Sequence, residues 1–161
     1  MPKKLPSGEQ RQIKPLWQNH HMRIVLDTDV VVAAFRSKTG ASRAILDLAM
    51  QRNSVTMAVS VPLLFEYEAV LKRDSQRMVH GLTDAQLERA LQLIAQASDL
   101  QALHFLWRPQ LQDVADEMVL ETAINARVDM LVSFNQRHLH QAAAKFGLRC
   151  VLPATCLHEL P

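Results

Sequence analysis

From residue 23 onward, short runs of apolar, branched residues alternate with longer stretches of helical period, and that alternation leaves few architectures open. RIVLD at 23–27 reads as a first strand, and 30–36 and 41–52 as helices, the second with Thr39 or Ser42 as its cap. VTMAV at 55–59 is a second strand. Pro62 then sits where a first helical turn tolerates it, and Leu63, Leu64, Tyr67, Val70 and Leu71 form a core-facing stripe. Residues 83–97 predict a helix with Thr83 as N-cap and Gln86 closing a capping box. Strands at 100–105, 130–133 and 149–152, helices at 115–127 and 136–146 (ended by Gly147), and a last helical turn at 154–160 complete the series. Short strands that are apolar on both faces and separated by helices predict an α/β fold with a mostly parallel sheet covered by helices.

A chain of 161 residues, 48% of them hydrophobic, can build one domain with a sizeable core. The expected division is a flexible basic tail over 1–21 and a domain over 22–161. The tail holds Lys3, Lys4, Arg11 and Lys14 against Glu9, which leaves 14 basic and 15 acidic side chains for the near-neutral domain. That asymmetry points only weakly to an anionic partner. No apolar run approaches the roughly 18–20 residues of a membrane span, and the N-terminus lacks the apolar segment of a secretory signal, so a cytoplasmic protein without membrane contact is expected. Two cysteines, Cys150 and Cys156, exclude a disulfide framework and a four-cysteine zinc site. With only Gly8, Gly40, Gly81 and Gly147, no phosphate-binding loop of the P-loop or dinucleotide type can be written.

In open α/β sheets ligands bind at the carboxyl ends of the strands. Asp27 ends the first strand, Glu66 lies in the first turns after the second, Asp116 opens the helix after the third, and Asn135 follows the fourth. Carboxylates about 4 Å apart repel by roughly 4 kcal/mol at an effective dielectric near 20, so a converging set holds a proton or binds a cation. Oxygen-only ligands favour a hard divalent ion, Mg²⁺ or Mn²⁺. Duller roles compete. Asp113 and Asp116 have capping-box spacing, and Asp29 can cap the helix it opens. Glu66 and Glu68 flank the apolar stripe of their helix equally, but Glu68 has Lys72 four residues on, the order of a surface ion pair, which leaves Glu66 the better site residue. Asp27 has no such structural explanation, since burying an unpartnered carboxylate costs several kcal/mol.

Four blocks in order, RIVLDTDVVVAAF, SVPLLFEYEAVLKR, DVADEMVLETAINARVDMLVSFN and FGLRCVLPATCLHEL, resemble the PIN-domain ribonucleases, particularly the VapC-like toxins of bacterial toxin–antitoxin pairs. The resemblance covers nearly all of 22–161 and implies a three-layer α/β/α fold with a central, mostly parallel sheet. It also implies an endoribonuclease that uses Mg²⁺ or Mn²⁺ and a metal-activated water, is silenced by a cognate antitoxin, and commonly forms a homodimer. Residue by residue, Asp27, Glu66 and Asp116 correspond to the metal-binding and catalytic acids, Asp113 to a supporting acid, and Thr28 and Ser133 to the small hydroxyl residues of the site floor. Asn135 stands at a metal position that is often a fourth Asp, with His138 where another acid is frequent. Asp29 stands where Asn is frequent and so restores part of that charge.

Phosphate contacts are expected from Arg36, Lys38 and Arg43, which follow the first strand, and from Arg137 beside Asn135. His138 and His140, two apart on a helix, point in different directions and are not a metal pair. Trp17 and Trp107 are packing residues before they are base platforms, and Cys150 reads as core. Two other functions compete with the nuclease. A PIN-like binding module without catalysis draws on Asn135 and His138. A haloacid-dehalogenase-like phosphatase draws on Asp27-Thr28-Asp29-Val30, but lacks the acid pair that chemistry needs after a later strand.

Overall fold

The computed structural model describes residues 21–161 apart from 107 and 109; the expected tail up to residue 20, with Trp17, and Trp107 lie outside the described residues. The described chain runs β1 (Met22–Leu26), α1 (Thr28–Arg36), α2 (Ala41–Gln51), β2 (Val55–Ser60), α3 (Val61–Leu71), α4 (Asp74–His80), α5 (Asp84–Ala97), β3 (Asp99–Gln101), α6 (Val114–Ala126), β4 (Met130–Val132), α7 (Gln136–Ala144), β5 (Arg149–Val151) and α8 (Pro153–Glu159). The five strands form one sheet in the order β3-β2-β1-β4-β5. Every pairing is parallel, with Leu26 opposite Val132 and Ile24 opposite Met57. Helices cover both faces, giving the three-layer α/β/α arrangement. The central strands are correspondingly buried on both sides, from Ile24 to Leu26, from Met57 to Val59 and from Met130 to Val132.

The chain winds from β1 to β2 and β3 on one side, then crosses to β4 and β5 on the other. The winding direction therefore reverses between β1 and β4, and a crevice opens there beyond the strand ends. β1 hands over directly to α1 because Asp27 is the N-cap: its side chain accepts the Thr28 N–H. β2 hands over to α3 in the same manner through Ser60, which accepts the Leu63 N–H and shares a 2.7 Å hydrogen bond with Thr122 of α6. On α5 the capping box of Thr83 and Gln86 is formed as its spacing predicts. The Glu68–Lys72 ion pair closes at 2.6 Å. Gly147, at φ +69°, ends the turn after α7.

Several boundaries differ from expectation. α2 is capped by Gly40 without a side-chain bond, not by Thr39 or Ser42; Ser42 is buried inside the helix. The third strand is only Asp99–Gln101, an edge strand with Leu100 exposed. The apolar residues after it belong to a loop. That loop is held by side chains of α6: Asn125 accepts the His104 and Phe105 N–H groups at 3.0 and 3.2 Å, and Glu117 accepts the Leu111 N–H at 2.7 Å. Arg108 makes a two-pronged pair with Glu121 at 2.9 and 3.0 Å, the Glu121 side chain being fully buried. Arg108→Ala leaves that carboxylate without its partner, so we expect a loss of about 1–3 kcal/mol in urea unfolding. The same loop delivers Asp113, so this anchoring fixes where α6 begins.

Candidate active site

Asp27, Thr28 and Asp29 at the β1–α1 junction, Asp116 and Ala115 at the start of α6, and Phe134 and Asn135 after β4 line one cavity of about 510 Å³ at the reversal point. Val32, Ala33 and Arg36 of α1 and Val70 of α3 complete its walls. Segments more than a hundred residues apart in sequence meet because β1 and β4 are neighbours in the sheet.

Each acid is held in place. Asp27 is only 5% exposed. Its Oδ1 accepts the Thr28 N–H at 2.7 Å, and its Oδ2 accepts the hydroxyl of the fully buried Ser133. Tyr67, buried on α3, donates its hydroxyl to the carbonyl of Leu26 and so pins the end of β1 just before Asp27. Asp113 caps α6 by accepting the Ala115 N–H at 2.9 Å, which leaves Asp116 in the first turn, where its Oδ2 accepts the Asn135 side-chain amide at 2.9 Å. The two readings of the Asp113–Asp116 spacing are thus divided between the residues. Asp113 caps, and Asp116 faces the cavity. Asp29 accepts the Phe134 N–H at 3.1 Å through Oδ2.

This concentration of acids shifts proton affinities upward. Burial, and next the Asp29 charge, pushes the Asp27 carboxyl up to about 7 against the pull of the Ser133 and Thr28 hydrogen bonds. Asp29 is raised chiefly by burial, opposed by the Phe134 amide. Asp116 is raised by burial and by Asp113, with His138 and Asn135 acting in the other direction. Two further oxygens, Thr28 Oγ1 and Asp29 Oδ1, are buried without a hydrogen-bond partner in the protein. Raised carboxyls and orphaned oxygens in one cavity call for protons or a cation.

A protein-family model described as "PIN domain" matches residues 23–137, most of the chain and every segment lining this cavity. The chain belongs to the PIN domain family. Curated proteins offer no match. PIN domains are generally nucleases, they bind nucleic acid and they typically use divalent metals. The fold is of nuclease type. Among the described residues, no helix is long and apolar enough to cross a membrane.

The carboxylates that line the cavity of this PIN domain are hard oxygen donors of the kind divalent metals take. Among the described residues no three Asp, Glu, His or Cys side chains are gathered closely enough to ligate one ion together. Mg²⁺ is commonly held through one or two carboxylates with water filling the other positions, and Asp27 and Asp116, which line the same cavity, suit that mode. The Asn135 side-chain amide N–H donates to Asp116 Oδ2 and so orients that acid.

The other expected residues divide. Glu66 is half-buried on α3, one turn before Val70, and is not among the residues lining the PIN-domain cavity. Arg36 lines the cavity, its guanidinium Nε tied to Gln76 at 2.9 Å. Lys38 and Arg43 do not: they line a separate groove between α2 and α5, where Arg43 pairs with Asp47. Arg137 is exposed in the first turn of α7. His138 borders a smaller adjoining cavity with Asp113, Asp116 and Asn135. In the sequence Asp29 reads as a cap or a charge replacement, and Phe134 carries no signal of a site. An Asp two residues into a helix carries no signal that separates capping from reaching another strand.

Proposed function

We propose that this PIN domain is a metal-dependent endoribonuclease, the toxin of a type II toxin–antitoxin pair. The observation that carries the nuclease reading is the cavity in which Asp27, Asp29 and Asp116 converge with raised proton affinity. A bound Mg²⁺ or Mn²⁺ would supply an activated water and neutralise charge on the phosphodiester. Asp27 and Asp116 are the residues assigned to hold it. Ser133 and the Thr28 amide orient Asp27, and Asn135 orients Asp116. Glu66 stays in the proposed acid set through the family resemblance, not through a contact. Arg36 and Arg137 are assigned to the substrate phosphates. RNA as substrate, an antitoxin partner, a homodimer and a cytoplasmic location rest on the same resemblance.

One observation favours a second reading, a PIN-fold binding module without catalysis. Asn135 puts an amide, not a fourth charge, against Asp116.

Purified protein incubated with mixed RNA in Mg²⁺, Mn²⁺ or EDTA separates the two. The nuclease reading expects cleavage that EDTA stops and that Asp116→Asn abolishes; cleavage equal in wild type and variant refutes the site. RNA bound but intact in every cation supports the binding module. Arg36→Gln should weaken RNA binding uniformly across sequences and lower the salt slope by about 1, read from fluorescence anisotropy at several salt concentrations. A neighbouring reading frame whose small product co-purifies with the chain and stops cleavage tests the antitoxin.

A further inference from the structure

The cavity has two kinds of wall. Asp27, Asp29, Asp116 and Asn135 make one acidic and polar, whereas Val32, Ala33, Val70, Ala115 and Phe134 make the other apolar, with Arg36 beside them. The acids account for a cation. They do not account for an aromatic ring left 51% exposed at the same opening.

Phe134 is exposed, yet its backbone is fixed on all sides. Its N–H is held by Asp29 at 3.1 Å, and its carbonyl accepts the Gln136 N–H at 3.0 Å. Ser133 before it is buried, bonded to Asp27 through its hydroxyl and to the Val151 carbonyl through its N–H at 3.0 Å. Asn135 after it is bonded to Ser133 Oγ at 2.8 Å and to Asp116 at 2.9 Å. A lone exposed apolar side chain on a protein surface is ordinary. One whose backbone is clamped by the very residues that orient the two acids is carried at a fixed position on the rim of the site, so little backbone ordering remains to be paid when a ligand arrives.

We infer that Phe134 is a stacking platform for the nucleobase next to the scissile phosphate. This rests on the nuclease reading above. A phosphate drawn to the acid-held cation and to Arg36 leaves its neighbouring base against the apolar wall, where a π-face is the complementary partner. A base within a duplex is stacked on both sides and cannot use this wall without being turned out. Stacking is indifferent to base identity, so Phe134 selects for strandedness more than for sequence.

The test uses the full chain and a labelled, unstructured oligoribonucleotide of about 12 nucleotides. Affinity is measured in Ca²⁺ and cleavage in Mn²⁺. Phe134→Ala should weaken binding and raise KM by about 5- to 150-fold while kcat changes little. Phe134→Trp should restore both, with its indole fluorescence quenched by RNA over the wild-type background; Phe134→Leu, which keeps apolar volume without a π-face, should not. An abasic residue placed beside the cleaved bond should cost the wild type as much as Phe134→Ala does, and cost that variant nothing further. Wild-type KM in Phe134→Ala, or full rescue by Leu, overturns the stacking role and leaves the nuclease intact. Wild-type protein that neither binds nor cleaves RNA overturns the nuclease reading and this inference with it.

Discussion

Asp27→Asn should lower metal-dependent cleavage by about a thousandfold or more, the scale of several kcal/mol of charge stabilisation lost from the reacting phosphate. The substitution is close to isosteric. Its carbonyl oxygen can still accept the Thr28 N–H, and its amide can donate to Ser133 Oγ, so the cap of α1 and the tie to β4 survive. What disappears is one of the two carboxylates assigned to the cation. The variant should therefore fold and lose turnover, with kcat falling much more than KM rises. Single-turnover cleavage, with circular dichroism on the same samples, separates this from unfolding. A variant that keeps a tenth of wild-type activity would mean that Asp27 is not at the reacting centre.

Metal-free protein should grow less stable as pH rises from about 4 to about 7, and level off above that. The folded-state carboxyl of Asp27 sits at about 7 against an ordinary 3.8, so between those values the native state holds a proton that the unfolded chain has released. Stability must then decline with rising pH across the window, opposite to the usual behaviour of a salt-bridged aspartate. Taken alone, the shift corresponds to about 4 kcal/mol. Asp29 and Asp116 are raised in the same direction, so the titration belongs to the cluster and spreads over a wider range than one group would give. Urea unfolding in EDTA at half-unit pH steps reads this directly. Asp27→Asn should flatten the profile and be the more stable protein at pH 8. A wild-type profile that is flat, or that rises from pH 4 to 7, would contradict the burial of charge described for this cavity.

The parts of this fold that the sequence makes legible are those where local chemistry and tertiary packing agree. β1, β2 and β4 announce themselves because a parallel strand buried on both faces must be apolar throughout. α5 announces itself through Thr83 and Gln86, and the role of Glu68 through Lys72. α4 (Asp74–His80) was not anticipated, for a physical reason: none of its residues is buried, so it has no apolar stripe to read. The third strand is shorter and earlier than the sequence predicts because Leu100, Phe105 and Leu106 are exposed, and their loop is fixed by α6 instead: Asn125 and Glu117 accept its backbone N–H groups and Glu121 pairs with the Arg108 side chain, bonds that leave no periodicity.

The site divides along the same line. Asp27, Thr28, Ser133, Asp116 and Asn135 sit at strand ends or in the first helical turn, where topology alone predicts convergence, and they do converge. Lys38 and Arg43 line a groove of their own, and proximity in sequence does not say which side of α1 a following turn takes. Asp29 and Phe134 become meaningful only once β4 is known to lie beside β1, because their hydrogen bond spans that junction.

Calorimetric titration of Mn²⁺ into the metal-free protein tests most directly whether this cavity is a cation site. Wild type should bind, and Asp27→Asn and Asp116→Asn should each lose at least about tenfold in affinity while remaining folded. Mn²⁺ uptake that is identical in wild type and both variants would place the ion elsewhere and remove the basis for a metal-dependent reaction at the β1–β4 crevice.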